Sequence, residues 1–152
     1  MVEIERKFLI NNNLWKPDNK GIQIRQGYLS VDKERVVRVR VADEKGFITI
    51  KGKLKGLSRS EFEYEIPKNE AEMLFKMCLN FIIEKTRFKK RIGDLIWEID
   101  VFSGENSGLI LAEVELINED QVVDLPEWIV KEVSSDFRYY NSWLSENPFS
   151  KW

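Results

Sequence analysis

Met1-Val2-Glu3-Ile4-Glu5-Arg6-Lys7 is the stretch whose reading decides the fold. Glu3, Glu5 and Lys7 alternate with Val2, Ile4 and Phe8. In an extended strand successive side chains point to opposite faces, so both carboxylates and the ammonium share one face. A half-buried strand with its polar side in water would show the same alternation. Later segments repeat the device with charges of complementary sign. Strands that each carry a charged face can close into a barrel whose interior is ionic.

Working outward, residues 22–30 read as a second strand, with Gly27 a candidate bulge. Strict alternation puts Arg25 and Tyr28 on opposite faces, and a bulge at Gly27 would bring them together. Residues 35–42 form a third strand with Arg38 and Arg40 on one face. The turn Asp43-Glu44-Lys45-Gly46 is a hairpin signal. Residues 47–54 place Thr49, Lys51 and Lys53 together, and residues 59–66 place Arg59, Glu61, Glu63 and Glu65 opposite Phe62, Tyr64 and Ile66. After Pro67, Asn69 and Glu72 resemble a capping box. Ala71, Leu74, Phe75 and Cys78 then follow helical spacing, which predicts a helix over 70–80. Cys78 on that apolar stripe reads as a buried, inert thiol.

Residues 83–92 align Lys85, Arg87 and Lys89, and residues 95–102 align Glu98 and Asp100. Residues 109–117 align Glu113 and Glu115. A short helix from Asn118 to Val123 and a final helix over 136–145 complete the expectation. The reading is mainly β with helices (α+β): an eight-stranded antiparallel barrel with a charged interior and covering helices. Residues 1–152 show no repeat, linker or low-complexity segment and are read as one domain.

Composition narrows the chemistry. Of 152 residues, 43% are hydrophobic and 33% charged, a globular and charge-rich balance. Lys plus Arg is 24 and Asp plus Glu is 26, so no global field draws nucleic acid or membranes. An anion site must come from local segregation of charge. One cysteine allows no internal disulfide, and no apolar run approaches the roughly 18 residues of a membrane span. The expected setting is a reducing, cytoplasmic one. There is no histidine, which removes a His base, a Ser-His triad and His-ligated zinc. A metal site must use carboxylates, which favours a hard divalent ion.

On this strand parity the charged faces carry nine bases and nine acids. The bases cluster strand by strand, as in Arg38 with Arg40 or Lys85 with Arg87 and Lys89. The acids come as pairs two residues apart, and such like-charge neighbours repel. A polyanion would neutralise the bases and a divalent cation the acids. A polyphosphate with its metal supplies both.

An ordered series of motifs runs along nearly the whole chain: Glu3-x-Glu5-x-Lys7, Arg25-Gln26-Gly27-Tyr28-Leu29, Arg38-Val39-Arg40, Lys51, Gly56-Leu57-Ser58-Arg59-x-Glu61, Glu84-Lys85-Thr86-Arg87, Glu98-Ile99-Asp100-Val101-Phe102 and Ala112-Glu113-Val114-Glu115. This series resembles the CYTH superfamily, the triphosphate tunnel metalloenzymes, and most of all its short bacterial branch of inorganic triphosphatases. The resemblance implies an eight-stranded tunnel with a C-terminal helix near one mouth. It implies Mg²⁺ or Mn²⁺ on Glu3, Glu5, Glu113 and Glu115. It implies phosphate oxygens held by Lys7, Arg25, Arg38, Arg40, Lys51, Arg59 and Arg87. Lys85 and Tyr28 match a pair proposed to activate the attacking water. Glu61, Glu63, Glu98 and Asp100 would orient the bases or help hold a second ion. Asp136-Phe137-Arg138-Tyr139-Tyr140-Asn141 matches a family segment and reads as the anchor of the last helix, with Arg138 or Tyr139 within reach of the mouth.

The function implied is divalent-metal-dependent hydrolysis of tripolyphosphate to pyrophosphate and phosphate. A class IV type adenylate cyclase or a nucleoside or thiamine triphosphatase would use the same tunnel. A non-catalytic polyphosphate or nucleotide sensor would carry the same charges without turnover. No nucleic acid or membrane partner is expected, and no residue argues for or against a homodimer.

Overall fold

A computed structural model describes residues 1–152, and it realises the strand reading closely. Strands β1 (Val2–Ile10), β2 (Ile22–Ser30), β3 (Arg35–Ala42), β4 (Lys45–Gly52) and β5 (Ser58–Ile66) lead to helix α1 (Lys68–Phe75). Strands β6 (Leu79–Ile92), β7 (Leu95–Ser103), β8 (Ile110–Glu115) and β9 (Ile129–Glu132) follow, and a one-turn helix α2 spans Asn141–Leu144. All pairings are antiparallel, in the order β5-β4-β3-β2-β6-β7-β8-β1-β9.

One further pairing closes the sheet. The N-terminal residues of β1 pair with β5 (Val2 with Ser60, Glu3 with Arg59, Ile4 with Ser58), while Glu5 to Leu9 pair with β8. Eight strands thus form a closed barrel with no free edge between β1 and β5. The ninth strand was not expected, and it pairs only with the far end of β1.

Short turns account for the sequential pairings. Ala42 faces Lys45 across a two-residue turn in which Asp43 has φ +50°, and Ile92 faces Leu95 across a turn in which Gly93 has φ +62°. Positive φ matches the right-handed twist of the flanking strands in such hairpins.

The outer faces are covered less by helices than expected. Trp15 and Trp128, both in or beside loops, pack over Phe8, Trp97, Ile99, Ala112 and Val114. Helix α1 covers Val39 and Val41 through Ala71. It is shorter than the 70–80 prediction because the chain re-enters the sheet at Leu79, and Asn80, already within β6, takes up φ +60°. Glu72 does not close a capping box, because its carboxylate turns to Arg25 and α1 has no side-chain cap. Residues 118–123 form a bend, a turn at 119–120 and irregular chain, and no helix. No helix is long and apolar enough to cross a membrane.

The barrel interior is not ionic along its whole length. At one end the inward positions are Tyr28, Val36, Ile83, Phe102, Leu109 and Leu111, which pack with Val133 and Leu144. They share strand parity with the charged residues, so the same inner face changes character along the barrel axis. The C-terminal segment seals this apolar end.

Trp97 is fully buried between Phe8, at 5.5 Å, and Trp128, at 5.4 Å between ring centroids. Its indole nitrogen has no hydrogen-bond partner. Trp97→Ala should cost about 3–5 kcal/mol in urea denaturation. Trp97→Phe should cost clearly less, because it fills much of the space and removes an unsatisfied buried donor.

Candidate functional site

The charged stretch of the barrel encloses a cavity of about 200 Å³. Its wall is supplied by every strand of the barrel. β1 supplies Glu3, Glu5 and Lys7; β2 supplies Gln26 and Tyr28; β3 supplies Arg38 and Arg40. β4 and β5 supply Lys51, Arg59, Glu61 and Glu63, and β6 supplies Lys85 and Arg87. Glu98 comes from β7 and Glu113 and Glu115 from β8. Period-two geometry aims each of these at the axis, and closure brings them within reach of one another.

Two of the expected residues stand apart from the wall. Arg25 lies on the outer face, where it pairs with Glu72 of α1 and lies over the Phe75 ring at 5.4 Å. The β2 register does shift, but around Gly27 to Ser30, so Gln26 and Tyr28 point inward together and Arg25 points out. The expected grouping of Arg25 with phosphate-binding residues is therefore corrected. Asp100 lies behind the wall at 1% exposure, with Arg87 donating to both its oxygens (2.7 and 2.9 Å) and Lys85 at 2.8 Å. Both its oxygens are engaged by these two cations. Of the other bases aligned by parity, Lys53 and Lys89 are exposed and outside the cavity, as is Glu65.

The acid wall is crowded. Glu5 sits opposite Glu115, and Glu98 opposite Glu113, in the strand register. Glu3 contacts Lys51 at 3.1 Å and Arg59 at 3.6 Å, and Lys51 also reaches Glu61 at 3.2 Å. Burial would raise the Glu3 pKa, but the hydrogen bond shared with Glu61 and the Lys51 and Arg59 charges bring it down to about 2. Glu61 is raised to about 7, first by burial and then by Glu3. Burial, then the Glu113 and Glu3 charges, push Glu5 up to about 8. Glu5 has no hydrogen bond to the protein. Glu113 goes the other way, because Lys7, Arg87 and Lys85 outweigh its burial.

These residues fit a hard divalent ion by chemistry. All donors are carboxylate oxygens, and Glu5 is a half-buried, repelled carboxylate that a cation would relieve. No three carboxylates converge into a ready-made cage. An ion that keeps several waters and shares oxygens with a bound anion requires none.

The basic wall has spare capacity. Arg38 donates to Thr49 (3.0 Å) and contacts Glu63 (3.3 Å), yet its buried Nε has no partner. Arg40 has no carboxylate partner and donates only to Gln26 Oε1, at 2.9 and 2.7 Å. Burial, with Arg38 and Arg87 nearby, pulls Arg40 down to about 9, so it remains cationic at neutral pH. Lys85, 2% exposed, is lowered to about 7 by burial and by Arg87 and Arg40, against the pull of Asp100.

The C-terminal segment forms the remaining wall, and little of it was legible in the sequence. Ser134, Tyr140, Asn141 and Ser142 line the cavity. Lys7 donates to the Tyr139 carbonyl at 3.1 Å and lies over the Tyr140 ring. Asn141 accepts from Lys85 at 3.0 Å and from Gln26 at 3.1 Å. Arg138 pairs with Asp136 at the surface and does not reach the cavity, and the Tyr139 ring packs on Trp152. Lys85 and Tyr28 are not hydrogen-bonded to each other; Gln26 and Asn141 join them. Gln26 shares strand parity with Tyr28 and could have been found on that ground. Asn141 could be placed only by the fold.

A closed antiparallel barrel with this interior has known counterparts. The chain matches the CYTH domain over residues 1–142. It belongs to the CYTH family. An inorganic triphosphatase of Acetivibrio thermocellus is 48% identical over 148 residues, covering 97% of this chain and 95% of that protein. An inorganic triphosphatase of Nitrosomonas europaea is 38% identical over 151 residues, covering 95% of this chain and 97% of that protein. A crystal structure of an inorganic triphosphatase superposes with a TM-score of 0.67 at 36% identity, covering 94% of this chain and 93% of the other. The CYTH tunnel thus accounts for the strand order, the closure and the inward charges of this chain.

Two substitutions separate the wall from its surroundings by stability alone. Asp100→Ala takes from buried Lys85 its only carboxylate partner and leaves Arg87 only Glu98, and should destabilise by about 3–5 kcal/mol. Arg25→Ala removes a surface pair and should change stability by about 0–1 kcal/mol. Chemical denaturation of both variants checks the contrast.

Proposed function

We propose that this CYTH protein is an inorganic triphosphatase that hydrolyses tripolyphosphate to pyrophosphate and phosphate with a divalent metal, Mg²⁺ or Mn²⁺. The observation that carries the reading is the division of one enclosed cavity into a basic wall with free donors and an acid wall with an unpaired carboxylate. A linear anion of high charge density, with its cation, matches both walls at once. Two inorganic triphosphatases related over nearly the full chain support the same reading.

The lining argues against a nucleoside. Its aromatic rings are Tyr28 and Tyr140, the first buried in the apolar end of the barrel and the second under Lys7. Neither offers a free stacking face for a base. The cyclase and nucleotide-sensor readings lose support on this ground.

The roles follow from position. Arg38, Arg40, Arg87, Lys7, Lys51 and Arg59 orient phosphate oxygens and offset their charge, which is most of what phosphoryl transfer needs from a protein. Glu3, Glu5, Glu113 and Glu115 would hold the metal, which when bound neutralises phosphate oxygens and polarises water. Lys85 is the base. As a neutral amine it donates its two N–H groups to Asp100 and Asn141, which leaves its lone pair for the proton of the attacking water. Tyr28, whose hydroxyl accepts from Gln26, has its own proton free to donate into the cavity. Glu61, Glu63 and Glu98 hold Lys51, Arg38 and Arg87 in place.

Phosphate release from tripolyphosphate, ATP and thiamine triphosphate, each with Mg²⁺ and with EDTA, tests the assignment. The expected result is metal-dependent turnover of tripolyphosphate above the others; no turnover of any of them with any divalent ion would leave only a binding role. Glu5→Gln should abolish that turnover and leave the metal-free protein at least as heat-stable as wild type, since it relieves carboxylate crowding. Arg25→Ala should turn over normally.

The pH dependence has a defined sign. A lysine base works only when deprotonated, and the protonated fraction of Lys85 falls as pH rises through about 7. kcat/KM should therefore rise with pH and level off above that value. Lys85→Ala should lower kcat more than it raises KM; an unchanged kcat with a raised KM would make Lys85 a phosphate clamp.

A further inference from the structure

The hydrogen bonds between Arg40, Gln26, Asn141, Lys85 and Tyr28 have only one consistent direction. Arg40 can only donate, and it gives both of its bonds to Gln26 Oε1. That fixes the Gln26 amide, whose Nε2 must face Asn141 Oδ1 and the Tyr28 hydroxyl, each at 3.1 Å. Lys85 donates to the same Asn141 Oδ1 at 3.0 Å. Two donors converge on one face of the Asn141 amide, so its orientation is set by partners that cannot reverse.

The other half of the amide is then accounted for. Asn141 lines the cavity, and its Nδ2 donates to no protein atom. An amide held by its acceptor side, lining the cavity beside the basic side chains Arg40 and Lys85, has two donor hydrogens left for an anion. The backbone that carries it is firmly placed. Leu144 of α2 is fully buried, Phe81 of β6 donates to the Ser145 carbonyl at 2.9 Å, and Trp143 packs against Trp152.

We propose that Asn141 is a substrate-positioning residue, whose Nδ2 donates to an oxygen of the phosphate chain held by Arg38 and Arg40 while its Oδ1 fixes Lys85 and Gln26. The C-terminal segment is on this view part of the binding site and not only the closure of the barrel. The proposal rests on the reading of the cavity as a tripolyphosphate site, and it needs no turnover to be tested.

Asn141→Asp separates the two halves. It keeps shape and acceptor and puts an anionic oxygen where the donor was. Tripolyphosphate binding in EDTA, measured by calorimetry, should weaken by about 10- to 100-fold, the loss of one hydrogen bond to a charged group. Asn141→Ala should weaken it to a similar degree, with melting temperature read alongside to confirm that each variant folds. In the presence of Mg²⁺ both variants should show a raised KM for tripolyphosphate. Wild-type affinity in a folded Asn141→Asp protein would overturn the donor role. If wild type binds tripolyphosphate but does not hydrolyse it, the triphosphatase reading falls while a weakened Asn141→Asp complex still upholds the contact. If wild type hydrolyses tripolyphosphate and the Asp variant binds it equally well, the contact falls and the activity stands.

Discussion

The three-residue pairing of β1 with β5 is the constraint on which the site depends. β1 has β8 along its other edge, so this short ladder converts an open sheet into a barrel. An open sheet could leave Glu3, Glu5 and Arg38 in water, where like-charge neighbours cost little. Closure takes them out of bulk water, and each charge must then find a partner or change its protonation. The structure shows both responses. Asp100 binds two cations, Glu61 beside Glu3 gains affinity for a proton, and Lys85 loses affinity for its own.

Function follows from how that balance is left incomplete. A barrel built only for stability would pair every buried charge or replace it with apolar residues. Here Arg40 has only an amide to bind, Arg38 keeps a free donor, and Glu5 is repelled by its neighbours. These are local costs, and they sit on opposite walls of one cavity. A ligand that carries both signs of charge removes them together. The apolar half of the barrel, sealed by Leu144, Val133 and Phe102, offsets the cost and gives the charged half a closed floor.

Strands were legible because a period-two pattern with complementary charges has few other uses, and the observed boundaries differ from the expected ones by only a few residues, β6 most. Helices were less legible. Residues 70–80 contain a helical stripe, but Leu79 and Asn80 already belong to β6, whose long run across β2 and β7 outweighs local spacing. The covering of the outer face was misjudged for a related reason. Trp15 and Trp128 lie in segments with no periodicity, and large rings can bury an outer face without forming an element.

By itself the sequence determined the inward charges, since alternation assigns Glu3, Lys7, Arg38, Lys51, Arg87 and Glu113 to one face without reference to any neighbour. It also determined the absence of imidazole chemistry. Only the tertiary structure decided which of those charges are satisfied. Arg25 was drawn outward because α1 presents Glu72 to it, and Asp100 moved behind the wall because Arg87 and Lys85 both reach it. Asn141 entered the cavity from more than a hundred residues beyond Gln26, through packing of Leu144 and the aromatic cluster at the C-terminus. Face is a property of one strand's geometry, whereas partnership depends on distances between strands, and those exist only once the barrel has closed.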